Sequence, residues 1–246
     1  MLIAIFLHYM NKKALLALLL AILLPAVGYL LTNYYSKRDV SMPQRFFYDS
    51  VSVSHTNGKT VYDTIWHHVR DVQFINQFGK KVSFADLKGK IIVLDFFFTR
   101  CPSICPRLAK EMKRLQNSFA KNDSIVQFVS ISVDPEHDSV PELRKWQARF
   151  NINPDNWWLL TGNRDSIYNF GLHEMKASIA DPGIDTAFIH SEDFFLLDKE
   201  RIIRGWYNGF DSSAQKTLVR DIPLLMLEKD RKRTFGEFLK GLFQNS

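Results

Sequence analysis

Apolar positions along this chain follow three periods, and each predicts a different element. From Ala14 to Leu31 they are continuous: 18 residues without a charge, preceded by Lys12 and Lys13 and followed by Lys37 and Arg38. That length spans a bilayer and exceeds the usual apolar region of a cleaved signal peptide, although Ala26-Val27-Gly28 would pass as a cleavage site. Shorter apolar runs, Ile91 to Phe98 and Ile125 to Val133, predict strands buried on both faces. Helical spacing appears at Arg107 to Phe119, Ser139 to Phe150, Asp165 to Met175, and from about Ser213 to an end or kink near Pro223.

Turn chemistry joins these pieces. Two short alternating runs around Asn76-Gln77-Phe78-Gly79 predict a hairpin, and Ser83 with Asp86 caps a helical turn that stops at Gly89. Ser139 and Glu142 are spaced as a capping box, with Pro141 in the first turn. Trp157 to Leu160 is a further strand, and Asp181-Pro182-Gly183 is a turn. Phe194 to Leu197 and Ile202 to Tyr207 pair across Asp198-Lys199-Glu200-Arg201. Strand, helix, strand, helix, hairpin and final helix make an α/β chain with the order of a thioredoxin-like fold carrying an N-terminal hairpin.

The expected organisation is an N-terminal region at 1–13, a transmembrane anchor at 14–32, a polar linker at 33–59, the thioredoxin-like domain at 60–228 and a tail at 229–246. Within the linker, Phe46-Phe47-Tyr48 is an apolar patch expected to contact the domain. The tail is basic, and Phe235, Phe238, Leu239, Leu242 and Phe243 fall on one stripe of a short helix begun by Thr234 and Glu237. With 46% apolar and 24% charged residues the composition is globular. Of the net charge of +6 the tail carries +3, so its stripe would lie either on the membrane that the anchor keeps close or on the domain's own sheet, and no nucleic-acid partner is expected. A short tail before a long domain places the domain on the extracytoplasmic, periplasmic side, as a single-pass membrane protein.

Candidate chemistry sits where the first buried strand ends. The chain's only cysteines, Cys101 and Cys105, are four apart, each is followed by a proline, and a helix starts in or just after them. Four-residue spacing on a helical turn would point both sulfurs one way, and the N-terminal N–H groups favour thiolates. The pair can hold a thiophilic ion such as Cu(I), or cycle between dithiol and disulfide. A static structural disulfide fits the strand-to-helix junction least well.

The run DFFFTRCPSICP, the strand end SVDPEHD, and His190-Ser191 before a hairpin ending in Gly205-Trp206-Tyr207-Asn208-Gly209 resemble the Sco (SenC) family, over about Asp71 to Leu227. The resemblance implies a membrane-anchored copper metallochaperone that helps assemble the Cu_A site of cytochrome c oxidase. Its copper, Cu(I) or Cu(II), would be bound by Cys101, Cys105 and His190, and its partner would be the oxidase copper-site subunit or another copper or thiol protein. The chain departs from the family in carrying Ile189 where Asp often precedes the ligand histidine.

The competing function is a thiol–disulfide oxidoreductase acting on exported protein thiols, with Cys101 and Cys105 as the redox-active pair. Three residues between the cysteines, not two, and the lack of a proline immediately before Phe194 argue against a general reductase, and the lack of a third cysteine argues against a peroxidase. The chain is thus expected to be a carrier and not a turnover enzyme. His67 and His68 are adjacent and would point to opposite faces of a strand. His8, His55, His137 and His173 have no ligand cluster beside them in sequence, and Met175 is expected in the core. Asp95 is either a hydrogen-bonded structural carboxylate or a proton acceptor near the thiols, and Asp134 is expected to shape its turn.

Overall fold

A computed structural model describes residues 12–36, 41–56, 59–177 and 192–228. The chain falls into two units, Met1–Ser41 and Met42–Ser246. In the first, α1 (Lys12–Ser36) runs through Pro25 without a break. Leu16, Leu20, Leu24 and Leu30 are exposed along it, and it is long and apolar enough to cross a membrane.

The second unit is built on a seven-stranded sheet in the order β4-β3-β7-β6-β5-β8-β9. The strands are β3 (Gln73–Asn76), β4 (Lys81–Ser83), β5 (Ile91–Phe97), β6 (Val126–Ser132), β7 (Trp157–Thr161), β8 (Asp193–Leu197) and β9 (Ile203–Asn208). The central three, β5, β6 and β7, are parallel, and β3 and β8 flank them antiparallel. Every residue of β5 and β6 is buried, the polar Asp95, Gln127, Ser130 and Ser132 among them, as central parallel strands covered on both faces require.

Helices α2 (Ile104–Ser118) and α3 (Val140–Arg149) make the crossovers β5 to β6 and β6 to β7. Both steps go the same way across the sheet, so right-handed crossovers put both helices on one face. There they pack with α5 (Ser212–Leu227) around Leu108, Met112, Leu143, Trp146, Leu218 and Ile222. The opposite face is covered by Phe74, Phe84, Ile167, Phe170 and Met175, from β3, the capped turn Phe84–Leu87, α4 (Arg164–Asn169), the π-turn Phe170–Glu174 and the residue that follows it. This is the thioredoxin-like arrangement expected.

Several details differ from expectation. Tyr48–Thr56 and Lys59–Trp66 form an antiparallel pair, β1 and β2, where the first half of the stretch had been read as irregular linker. Ser139 makes no side-chain cap at the start of α3; Glu142 instead pairs with Lys145 at 2.6 Å, and Pro141 sits in the first turn. The Asp165 to Met175 helix is α4 plus the π-turn, capped by Asn163, whose side chain accepts from the Ser166 N–H at 3.0 Å. α5 continues through Pro223, which lies on its exposed side, where water can satisfy the carbonyl that the ring frees. The Asp181–Gly183 turn, His190 and the 229–246 tail lie outside the described residues.

One guanidinium closes the domain. Buried Arg204 donates to Asp198 at 2.9 Å, to Glu228 at 2.5 Å and to the Pro43 carbonyl at 2.6 Å. A buried cation is tolerable only when so fully paired. Beside it Phe46 donates its N–H to Ile203 O at 2.9 Å, and Phe46 and Phe47 pack on Trp206, so the linker's aromatic patch contacts the domain as expected.

Candidate metal or redox centre

The chain leaves the sheet after Phe97, and the Cys101 N–H turns back to Phe98 O at 3.2 Å. Ser103 is the N-cap of α2, but its side chain caps nothing. The sulfur of Cys101 takes that role, accepting from the backbone N–H of Cys105 at 3.3 Å. The two cysteines therefore do not share one turn of helix, as their spacing had suggested. Only Cys105 is helical; Cys101 lies in the turn ahead of the N-cap, Ser103. The sulfurs are nevertheless close enough for each to shift the other's pKa, and both are free, buried thiols.

Their environments differ. Burial works against a charge on Cys101, but the Cys105 thiol and the N–H groups of Cys105, Ser103 and Ile104 outweigh it and hold the Cys101 pKa below the ordinary thiol value. Burial pushes the Cys105 thiol up, and donating to Cys101 and standing near Asp95 push it further. One sulfur ionises more easily than an ordinary thiol, and the other holds its proton more tightly.

Around the pair lies a polar shell from the β6–α3 turn. Asp138, fully buried, accepts from the Thr99 N–H at 3.0 Å, from the Thr99 hydroxyl at 2.5 Å and from the Ser132 hydroxyl at 2.5 Å. Its carboxyl is raised by burial in spite of those donors. Asp134 shapes the turn through its carbonyl, as expected, but its carboxylate also accepts from Arg100 at 2.6 Å and meets His137 Nδ1 at 2.8 Å. Burial opposes that charge, yet the His137 and Arg100 hydrogen bonds outweigh it and keep Asp134 below the usual carboxylate value. His137, set aside in the sequence, thus belongs to a network that reaches the residue next to Cys101. Its i+3 spacing from Asp134 was the available signal.

Asp95 lies on the sheet face beneath α2. One of its oxygens has no partner, and burial, opposed by a hydrogen bond with Ser130, pushes its pKa up to about 7. His67 bridges Asp49 at 2.8 Å and Glu174 at 3.1 Å, and His68 bonds the Glu200 carbonyl at 2.8 Å, so the two diverge as expected. Met175 is in the core. Among the described residues no group of three or more His, Cys, Asp and Glu side chains is arranged to hold a metal. The two sulfurs are a soft-donor pair that a third ligand from elsewhere would complete.

Residues 66–226 match the SCO1/SenC family. The SCO1 protein homolog of Bacillus subtilis (strain 168) is 33% identical over 166 residues, covering 67% of this chain and 86% of the relative. Among solved structures, BsSco, described as a member of the Sco family of cytochrome c oxidase assembly proteins with a disulfide switch, is 33% identical. It aligns over 67% of this chain and 96% of its own with a TM-score of 0.58. Copper-bound ScoI of Arabidopsis thaliana is 27% identical over 63% of this chain and 97% of its own, with a TM-score of 0.52. With a match spanning the domain from β2 to α5, and with relatives of this kind, the chain belongs to the SCO1/SenC family.

Proposed function

We propose that this protein is a copper-binding metallochaperone that helps assemble the Cu_A site of cytochrome c oxidase. Copper is its cargo, held by Cys101, Cys105 and His190, and α1 anchors it with the domain on the extracytoplasmic side. The observation that carries this reading is the hydrogen bond from the Cys105 N–H to Cys101 Sγ at 3.3 Å, which gathers two soft donors at a helix N-terminus. Two thiolates with Cu(I) carry a net charge of −1, which the N–H groups of Cys105, Ser103 and Ile104 are placed to offset. The copper-bound Arabidopsis relative supports the choice of metal.

The test is anaerobic titration of the reduced full chain with Cu(I), followed by metal analysis. One equivalent should bind tightly, Cys101→Ala or Cys105→Ala should abolish it, and His190→Ala should weaken it less, since both sulfurs remain. Parent-like binding of both Cu(I) and Cu(II) by His190→Ala would remove the histidine from the site.

The unequal thiols favour a second reading, a thiol–disulfide oxidoreductase. The Cys101 thiolate would attack a substrate disulfide, forming a mixed disulfide and expelling one substrate thiolate. Cys105, losing its proton, would then displace the second, leaving the Cys101–Cys105 disulfide and a substrate reduced by two electrons. Absence of stoichiometric copper in the same titration selects this reading over the first.

A further inference from the structure

The outer face of α2 borders a groove of about 290 Å³ against the loop Gly209-Phe210 and the start of α5. Gly209 makes the close approach of that loop possible: a Cβ there would run into Leu108 Cδ2 on α2 and lie 3.1 Å from Glu192 O. Gln215 holds the loop by donating to the Gly209 carbonyl.

Charge in the groove is unbalanced. Arg114 is neutralised by Glu111, to which it donates at 2.7 and 2.9 Å. Arg107 lies 4.2 Å over the Phe210 ring, with no acidic partner among the described residues, and Lys110 likewise has none. Asp211, beside the rim, is committed to its own helix, accepting from the Ser213 N–H at 2.8 Å. Two uncompensated cations thus flank an aromatic surface in a concave site.

Its position along α2 gives this site meaning. Arg107 is two residues beyond Cys105, and helical side chains lean back toward the N-terminus, so its guanidinium is carried toward the cysteine end. Lys110, five residues on, is about 7.5 Å along the axis from Cys105.

We infer that this groove receives an acidic, carboxylate-bearing segment of the protein with which the cysteine pair exchanges its copper. The inference rests on the function proposed above and adds the surface by which the partner is oriented. A carboxylate beside Lys110 and another on Arg107 would bring the partner's own site over the N-terminus of α2. A protein segment suits a narrow groove with an aromatic wall, whereas anionic head groups would suit a flat face.

The test uses the full chain in neutral detergent micelles at low salt. The probe is a peptide of alternating Glu and Gly, with the Gln/Gly peptide as its control, coupled by carbodiimide and mapped by mass spectrometry. Coupling should concentrate on Lys110 over the exposed Lys121, should fall about tenfold in Arg107→Gln, and should collapse in high salt, where exposed charges are screened. Coupling spread over the lysines, or unchanged in Arg107→Gln, overturns the proposal. So does an absence of peptide coupling alongside Arg107-dependent binding to phosphatidylglycerol vesicles. Copper titration of the same sample separates the two ideas: binding of one equivalent with no preference for Lys110 removes the groove and leaves the chaperone, whereas Lys110-selective coupling without copper binding leaves an acidic-segment docking surface and overturns the copper exchange assigned to it.

Discussion

The backbone N–H of Cys105 points at the sulfur of Cys101, 3.3 Å away, and it is one of the contacts that make two chemically identical side chains unequal. The Cys101 pKa lies below the ordinary thiol value, and burial pushes that of Cys105 above it. Iodoacetamide should therefore modify Cys101 first, with a rate that levels off at lower pH than for a free cysteine, while Cys105 lags across the range. Peptide mapping of the reduced protein from pH 5 to pH 10 reads both rates. Equal reactivity would show that the sulfur does not serve as the cap of α2.

Asp95 should make the domain less stable as pH rises. Its folded pKa of about 7 lies above the unfolded value of 3.8, so the unfolded chain sheds its proton first. The penalty is absent below about pH 4, grows through the interval, and is complete above about pH 7, on the order of 4 kcal/mol. Asp95→Asn should match the parent in urea unfolding at pH 4 and exceed it at pH 8. A variant less stable at pH 8 by the same margin as at pH 4 would mean that the charged form is welcome there.

Gly209→Ala should cost about 1–3 kcal/mol, because the new methyl group overlaps Leu108 and the carbonyl of Glu192. Combining it with Leu108→Ala should cost less than the sum of the two changes, since the second makes room for the first. Thermal unfolding of the two single variants and the double variant provides the cycle, and strict additivity would place the clash elsewhere.

Asp138→Ala leaves the Thr99 N–H and the Thr99 and Ser132 hydroxyls short of their acceptor, at a cost of about 1–3 kcal/mol for each buried group that finds no other. The loop that carries Cys101 should loosen, so amide exchange at Thr99 and Cys101 should rise more than in the β5 strand. Uniform exchange over both would reduce Asp138 to a general stabiliser.

Much of this was legible beforehand because its causes are local. Ile91 to Phe97 and Val126 to Ser132 announce buried strands by composition, and Asn76 shapes its turn with its own side chain, accepting from the Phe78 and Lys80 N–H groups at 3.0 Å each. The β1–β2 pair was missed because Val51-Ser52-Val53-Ser54 alternates over only a few residues, and Val51, Val53 and Tyr62 stay exposed, so no core demanded them. Arg100 and Asp134 are 34 residues apart and meet only because parallel pairing sets the ends of β5 and β6 side by side. The Ser139–Glu142 spacing misled because a nearby lysine offered Glu142 a competing partner.

Arg204 ties Pro43, next to the point where the chain enters the domain, to Glu228, the last residue described before the tail. Entry and exit are thus within reach of one guanidinium, and Arg45 reaches Glu228 as well, at 3.5 Å. In topological terms the domain is almost a ring. A short peptide sealing that gap, with new ends opened at the Asn76–Gly79 turn, would give a circular permutant that keeps every strand neighbour. Pulled by its two natural ends, the domain would take the load first on this clasp, and the sheet that supports the cysteine pair would feel it only after the clasp had opened.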